Sequence, residues 1–302
     1  MRWIKRGLVF APDGTRWWAR KYASFPTVDV LGDVLRVYFA ALDDRNYGRV
    51  GYIDLDARNP ARILYEAPEP VLDLGEIGTF DDCGVNPFSI VTHNERKYLY
   101  YQGWQRAERI PYLIFTGLAI GYLSGTHFTK YSRKPILDRV EDDLFLRGAP
   151  WVLKDHSEFR MWYVSCRHWV QDEHGLHYDV AIRHATSSDG IHWKADTVPC
   201  LAPASKDEYA IGRPSVIFDG NRYRMWYSIR SFSQPYRIGY AESEDGIRWI
   251  RDDSQAPLEK SEAGWDSQMA CYPCVVMACG KMLMFYNGNQ HGSTGFGYAV
   301  AE

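Results

Sequence analysis

The sequence predicts an all-β fold, a five-bladed β-propeller of four-stranded antiparallel blades, and three observations carry that expectation. One phrase occurs five times: FPTVDVLGDVLRVYF, NPFSIVTHNERKYLYY, APWVLKDHSEFRMWYV, RPSVIFDGNRYRMWYS and YPCVVMACGKMLMFYN. Its prolines, Pro26, Pro87, Pro150, Pro214 and Pro273, stand about 60 residues apart, a spacing that marks a repeat built from one supersecondary unit. Asp-Gly turns recur at a fixed place within the repeat, and the two chain ends read as complementary parts of one unit.

The elements follow in chain order. Trp3 to Phe10 is an apolar strand whose start, Met1-Arg2-Trp3-Ile4-Lys5, resembles Ile247-Arg248-Trp249-Ile250-Arg251, the outer strand of the fourth repeat. The last repeat stops after its third strand, Gly295 to Ala301, so the N-terminal strand is expected to complete it and remove an exposed edge. Within each repeat, proline tolerated at a strand start opens an inner strand. In the fourth, Pro214 to Phe218 turns at Asp219-Gly220-Asn221 into Arg222 to Ser228. A loop through Ser233-Gln234-Pro235 leads to Arg237 to Ser243, and Asp245-Gly246 forms a hairpin into Ile247 to Arg251. The third repeat carries the same turn as Ser188-Asp189-Gly190-Ile191-His192-Trp193, and the second a variant, Ser124-Gly125-Thr126-His127-Phe128. Four antiparallel strands make a propeller blade, and the whole chain, 1–302, reads as one domain.

Bulk composition narrows the function classes. Hydrophobic residues are 46% and aromatic residues 15% of the chain, enough for strands packed face to face. A net charge of −3 gives no electrostatic footprint for nucleic acid or an anionic membrane. No apolar run approaches a membrane-spanning length, and the short N-terminal run does not make a signal peptide, so a cytoplasmic location is expected. Cys271-Tyr-Pro-Cys274 is a lone CxxC with no second pair at zinc spacing, which favours buried thiols over metal or redox duty. No cofactor is expected; an ion such as calcium in the channel, and the oligomeric state, stay open.

Strand direction separates two faces, and the face carrying inner-strand starts and long loops is where binding chemistry sits on such scaffolds. Asn86, Arg147 and Arg213 beside the anchoring prolines are expected there. Gln102, Trp104, Arg167, His168, Arg230, Asn287 and Asn289 come from ends of second strands, with His291 just beyond. The arginines suit a carboxylate or phosphate, or equally an ion-pair network between blades. Carboxylates cluster in the inter-blade connections, among them Asp82, Glu208 and Asp266. Two of these three would serve as acid and base for glycosidic cleavage if they enter one funnel; the competing reading is that they cap turns.

The five-fold phrase, the MWYS ending and the SxDGxxW hairpins resemble the five-bladed propeller superfamily of sugar-active enzymes, glycoside hydrolase families 32, 43, 68 and 130. That resemblance implies an oligosaccharide or small-molecule substrate, and hydrolysis, transfer or phosphorolysis of a glycosidic bond in a central funnel. The alternative is a propeller that binds carbohydrate without cleaving it. In families 32 and 43 an Asp precedes the first proline, Asp-Pro marks the second blade, and Glu-Gly-Pro or a similar phrase marks the third. Here the corresponding residues are Phe25, Asn86 and Arg147-Gly148-Ala149. Arginine in place of acid points to an anionic sugar. Gly264-Trp265-Asp266-Ser267 and Tyr286-Asn287-Gly288-Asn289 are also similar to propellers of bacterial surface-polysaccharide synthesis.

Overall fold

A computed structural model describes residues 1–155, 158–255 and 257–302, the side chain of Arg167 excepted. Among the described residues the regular secondary structure is strand apart from one helical turn, Asn289–Gly292. Strand β1 spans Trp3–Phe10. An antiparallel run follows: β2 (Lys21–Leu31), β3 (Val34–Leu42), β4 (Gly48–Asp56) and β5 (Asn59–Glu66). The next is β6 (Gly84–His93), β7 (Arg96–Arg106), β8 (Tyr112–Tyr122) and β9 (Phe128–Lys130). Then come β10 (Leu146–Lys154), β11 (Phe159–Asp172), β12 (Gly175–Ser187) and β13 (Lys194–Ala195). After these lie β14 (Glu208–Phe218), β15 (Tyr223–Ser231), β16 (Arg237–Ser243) and β17 (Ile250–Arg251). The last run is β18 (Cys271–Ala278), β19 (Lys281–Asn287) and β20 (Phe296–Ala301), and β20 takes β1 as its outer partner.

Short parallel contacts link β4 to β6, β8 to β10 and β12 to β14. The sheet holding β1 is not joined to the rest by ladder hydrogen bonds. Side chains bridge that seam instead: Asn287 Nδ2 donates to Ala23 O at 2.7 Å, and the Phe25 amide donates to Asn287 Oδ1 at 2.8 Å.

The anchoring prolines explain how the inner strands are shaped. Proline cannot donate to a ladder, and each inner strand slips register around its proline, between Ser24 and Thr27, Pro87 and Ser89, Gly148 and Trp151, Gly212 and Ser215, and Cys271 and Cys274. In four of these bulges the residue before proline adopts positive φ: Phe25 (59°), Ala149 (49°), Arg213 (55°) and Tyr272 (56°). A bulge re-aims a side chain, and all five residues preceding the prolines, Asn86 included, line one central cavity.

The recurrent turn glycines have a second role. Tyr38 Oη donates to Gly125 O at 2.8 Å, Tyr100 Oη to Gly190 O at 2.9 Å, and Trp162 Nε1 to Gly246 O at 2.8 Å. A buried second-strand aromatic of one run thus clasps the turn of the following run, which meets the rule that a buried Tyr or Trp polar atom finds a partner. The fifth turn does not exist, because β1 arrives from the other chain end. There Trp226 Nε1 has no partner among the described residues, and Trp3 packs edge-on against Trp226 at 5.9 Å.

The predicted outer strand Ile247 to Arg251 is shortened to Ile250–Arg251. Asp245 Oδ1 accepts from the amides of Ile247 and Arg248, and Ser243 Oγ accepts from that of Gly246. Side-chain acceptors that capture local amides compete with ladder formation, so a capped turn replaces the first part of the strand.

Candidate functional site

The inner strands converge on a cavity of about 320 Å³. Its aromatic base is Phe25, whose ring lies 5.0 Å from Phe88 and 4.4 Å from Tyr272. Arg213 is buried beside it, with its guanidinium 4.5 Å from the Phe88 ring. Arg213 Nη2 donates to Pro26 O at 2.7 Å and Thr27 Oγ1 at 3.0 Å, and Nη1 donates to Phe88 O at 3.1 Å. It sits on β14 while its acceptors sit on β2 and β6, so it laces three runs together across the centre. Burial without a carboxylate pulls its pKa down to about 10.

Above this base the lining is polar at a few points. Arg230 is half-buried with its guanidinium 5.2 Å from the Tyr178 ring and 5.0 Å from the Tyr236 ring. It forms no ion pair among the described residues, and its Nε has no hydrogen-bond acceptor there. His291 packs edge-on to Tyr236 at 4.8 Å, and burial together with the Arg230 charge lowers its pKa, so it is neutral at pH 7. Its positive φ, 61°, lets its carbonyl accept from Ser24 Oγ at 2.7 Å across the seam. Gln102 Oε1 accepts from the Ala149 amide at 3.1 Å, while the Asn86 side chain faces the cavity without a hydrogen bond among the described residues. Trp104 lies flat over Gly84, where a Cβ would stand 2.2 Å from its Nε1, so glycine is what admits the ring.

Of the residues expected from sequence, the structure therefore brings together Asn86, Gln102, Trp104, Arg213, Arg230 and His291. Arg147 is a correction: it does not reach the cavity. It is buried against Asp143, with Nε 3.2 Å from that carboxylate and Nη2 donating to Tyr163 Oη at 3.1 Å. The position two residues farther along, Ala149, is the one the bulge turns inward. Asn287 and Asn289 are spent on backbone: Asn287 closes the seam, and Asn289 Oδ1 accepts from the Gln268 amide at 2.7 Å. His168 is exposed and outside the cavity lining, and the Arg167 side chain lies outside the described residues. Trp169 backs the rim, 4.9 Å from Tyr178. Sequence reasoning missed Phe25, Tyr112, Tyr178 and Tyr272 as lining residues. Phe25 and Tyr272 occupy the slot before proline, the signal that identified Asn86 and Arg213; Tyr112 and Tyr178 carried no comparable mark.

Asp82, Glu208 and Asp266 are not gathered at the cavity, and none of its described lining residues is Asp or Glu. Asp266 is buried, 2.6 Å from Lys5 Nζ, and accepts from Tyr286 Oη at 2.8 Å. Asp82 Oδ2 accepts from the Gly78 amide at 2.8 Å, while its neighbour Asp81 repeats the Asp266 arrangement with Tyr101 Oη at 2.8 Å and Lys130 Nζ at 2.6 Å. Glu208 is gripped by Arg251 at 2.7 and 2.8 Å and by Arg237 at 2.8 Å. Burial would raise its pKa, but the Arg251 fork prevails and holds it below the usual range. The three cations share one register position: Lys130, Arg251 and Lys5 stand opposite Ala119, Ala241 and Ala299 of the neighbouring strand. Each ties an outer strand to the connection entering its own run, a clamp that holds Asp81, Glu208 and Asp266 outside the cavity lining.

The six cysteines are free, and among the described residues no cluster of three acidic, His or Cys side chains could hold a metal. Among the same residues, no helix is long and apolar enough to cross a membrane.

Comparison with known proteins places the chain. No family model matches it. A solved BT0996 RGII complex superposes with a TM-score of 0.76 at 21% identity, covering 98% of this protein and 90% of that one. A thermostable family-43 glycoside hydrolase superposes with a TM-score of 0.66 at 16% identity, covering 93% and 88%. The likeness shows the β-propeller fold that these solved proteins share. The Mycobacterium tuberculosis uncharacterized protein Rv1502 is 37% identical over 303 residues, spanning the whole of both proteins. With that identity sustained from end to end, the protein belongs to the family of Rv1502.

Proposed function

We propose that the central cavity binds a carbohydrate bearing an anionic group, and that the antiparallel runs are five propeller blades closed through β1 and the Asn287 seam. The observation that carries the ligand reading is Arg230: a half-buried guanidinium with no carboxylate partner among the described residues, held between two tyrosine rings at the wall of an aromatic cavity. Desolvated arginine that is not spent on protein acceptors suits a carboxylate or phosphate. Trp104, Tyr112 and Tyr178 offer ring faces to a sugar, and Asn86 an amide for its hydroxyls. The glycosidase-like neighbours, one of them an RGII complex, support carbohydrate as the ligand class.

Binding is favoured over two-carboxylate hydrolysis, because that chemistry needs an acid and a base flanking the bond, and Asp82, Glu208 and Asp266 are engaged elsewhere. Arg230 and the neutral His291 side by side suit transfer or phosphorolysis of a phosphorylated sugar as a second reading, in which His291 holds or moves a proton.

Thermal melting with D-glucuronate or glucose 1-phosphate tests the proposal. A ligand at about 100 times its Kd adds about 2.7 kcal/mol and raises Tm by several degrees. The rise is expected for the native protein and is lost in Arg230→Met. Equal melting of the two proteins with both probes overturns it.

A further inference from the structure

We infer that the anion received by the central cavity carries two charges, so that its ligand is a sugar phosphate monoester rather than a sugar carboxylate. The inference rests on the anion-binding reading of that cavity and names the class of anion. A charge count carries it. Two guanidinium groups, Arg213 and Arg230, line the cavity, and its described lining residues include no Asp or Glu. Neither arginine forms an ion pair among the described residues, whereas Arg36, Arg49, Arg147 and Arg251 each have a carboxylate within 3.2 Å.

Both charges persist at pH 7. Burial draws the Arg213 pKa down only to about 10, which leaves the group protonated. Its Nη groups donate to the carbonyls of Pro26 and Phe88, acceptors that satisfy its hydrogen bonds without cancelling its charge. The ionisable groups that act on Arg213 are Cys274 and Tyr272, and those that act on Arg230 are Tyr236, Tyr272, Tyr112 and Cys271. Burial raises the pKa of every one of these phenols and thiols, so all are neutral. His291, on the segment between β19 and β20, faces Arg230, Tyr236 and Tyr272. Arg213 and His291 are both held at positive φ, 55° and 61°, and strain of this kind gathers at ligand sites.

The charge count selects among anions. A buried charge left without a counter-charge is costly. A carboxylate pairs with Arg230 and leaves the Arg213 charge unbalanced. A phosphate monoester carries close to two charges at neutral pH and balances both. Its oxygens also outnumber those that one planar fork takes bidentately, and neutral His291 offers a further donor on the same wall. Inorganic phosphate has the charge but no ring to set against Trp104 and Tyr112.

Calorimetric titration with glucose 1-phosphate, D-glucuronate and inorganic phosphate, at pH 7.5 and pH 5.0, tests the inference. The ester loses its second charge below about pH 6, while glucuronate stays singly charged throughout. Glucose 1-phosphate is expected to bind at least about tenfold tighter than glucuronate at pH 7.5, with the ratio falling to about threefold or less at pH 5.0. Because both sugars meet the same His291, its titration cancels in that ratio. Glucuronate binding as tightly as glucose 1-phosphate at pH 7.5, or a ratio equal at the two pH values, overturns the inference. Inorganic phosphate matching glucose 1-phosphate overturns the sugar ester as the ligand. Arg230→Met reports separately on the anion reading: affinities unchanged in that variant end the reading itself, and silence from all three probes ends both.

Discussion

Lys5 Nζ lies 2.6 Å from Asp266 Oδ2, joining the first strand of the chain to the connection that enters its last run. Tyr286 Oη donates to the same oxygen at 2.8 Å, so a carboxylate that sequence alone offers as an acid or base is a staple between chain ends. The same three-part device recurs at Lys130, Asp81 and Tyr101.

Removing the staple is expected to loosen β1. Asp266→Asn leaves the Lys5 ammonium without its buried partner and should cost about 2–3 kcal/mol in denaturant unfolding. Limited proteolysis should then cut first within the N-terminal segment. A loss below about 0.5 kcal/mol would remove the clamp from the account of how the ends are held.

Arg213 is expected to behave as a structural centre. Arg213→Met strips donors from the carbonyls of Pro26 and Phe88 and should cost about 3 kcal/mol or more. Arg213→Lys is expected to rescue little, because a single ammonium cannot span acceptors on two strands as the planar fork does. Full stability of the lysine variant would show that charge alone suffices there.

Asp143 sets a pH dependence. Burial outweighs Ser165, Arg147 and Arg183 and raises its pKa from 3.8 to about 6. Between those values the native state holds a proton that the unfolded chain has released, so this group's contribution to stability is full below pH 4 and declines as pH rises to 6. The loss is at most about 3 kcal/mol. Unfolding free energies of the native protein and Asp143→Asn, measured at pH 4 and pH 7, should differ in slope by that contribution; parallel slopes would contradict it.

Ligand recognition should depend on the aromatic support of Arg230. Tyr178→Ala removes the ring 5.2 Å from the guanidinium and is expected to weaken D-glucuronate binding about tenfold by calorimetry. Trp104→Ala should weaken it by a similar factor through lost stacking, with unfolding still cooperative. Unchanged affinity in both variants would place the sugar elsewhere.

Much of the fold was legible because its signals are local. The proline-anchored phrase located the inner strands, and the likeness between Met1-Arg2-Trp3-Ile4-Lys5 and the fourth outer strand anticipated the pairing of Trp3–Phe10 with Phe296–Ala301. Asn86 and Arg213, each in the slot before a proline, line the cavity. The roles of Arg147, Asn287 and the connection carboxylates were not legible, since each depends on a partner brought from elsewhere in the fold. Asp266 turns outward because Lys5, at the other chain end, waits there, and Glu208 because Arg251 does. Ala149 rather than Arg147 faces the centre because a bulge of positive φ reverses the expected alternation. Local spacing alone therefore determined the repeat, the strand starts and the partner of the first strand. Only the tertiary structure decided which polar side chains face the cavity and which are consumed in holding the runs together. The energy of a buried charge depends on the partners around it, and those partners are distant in the chain.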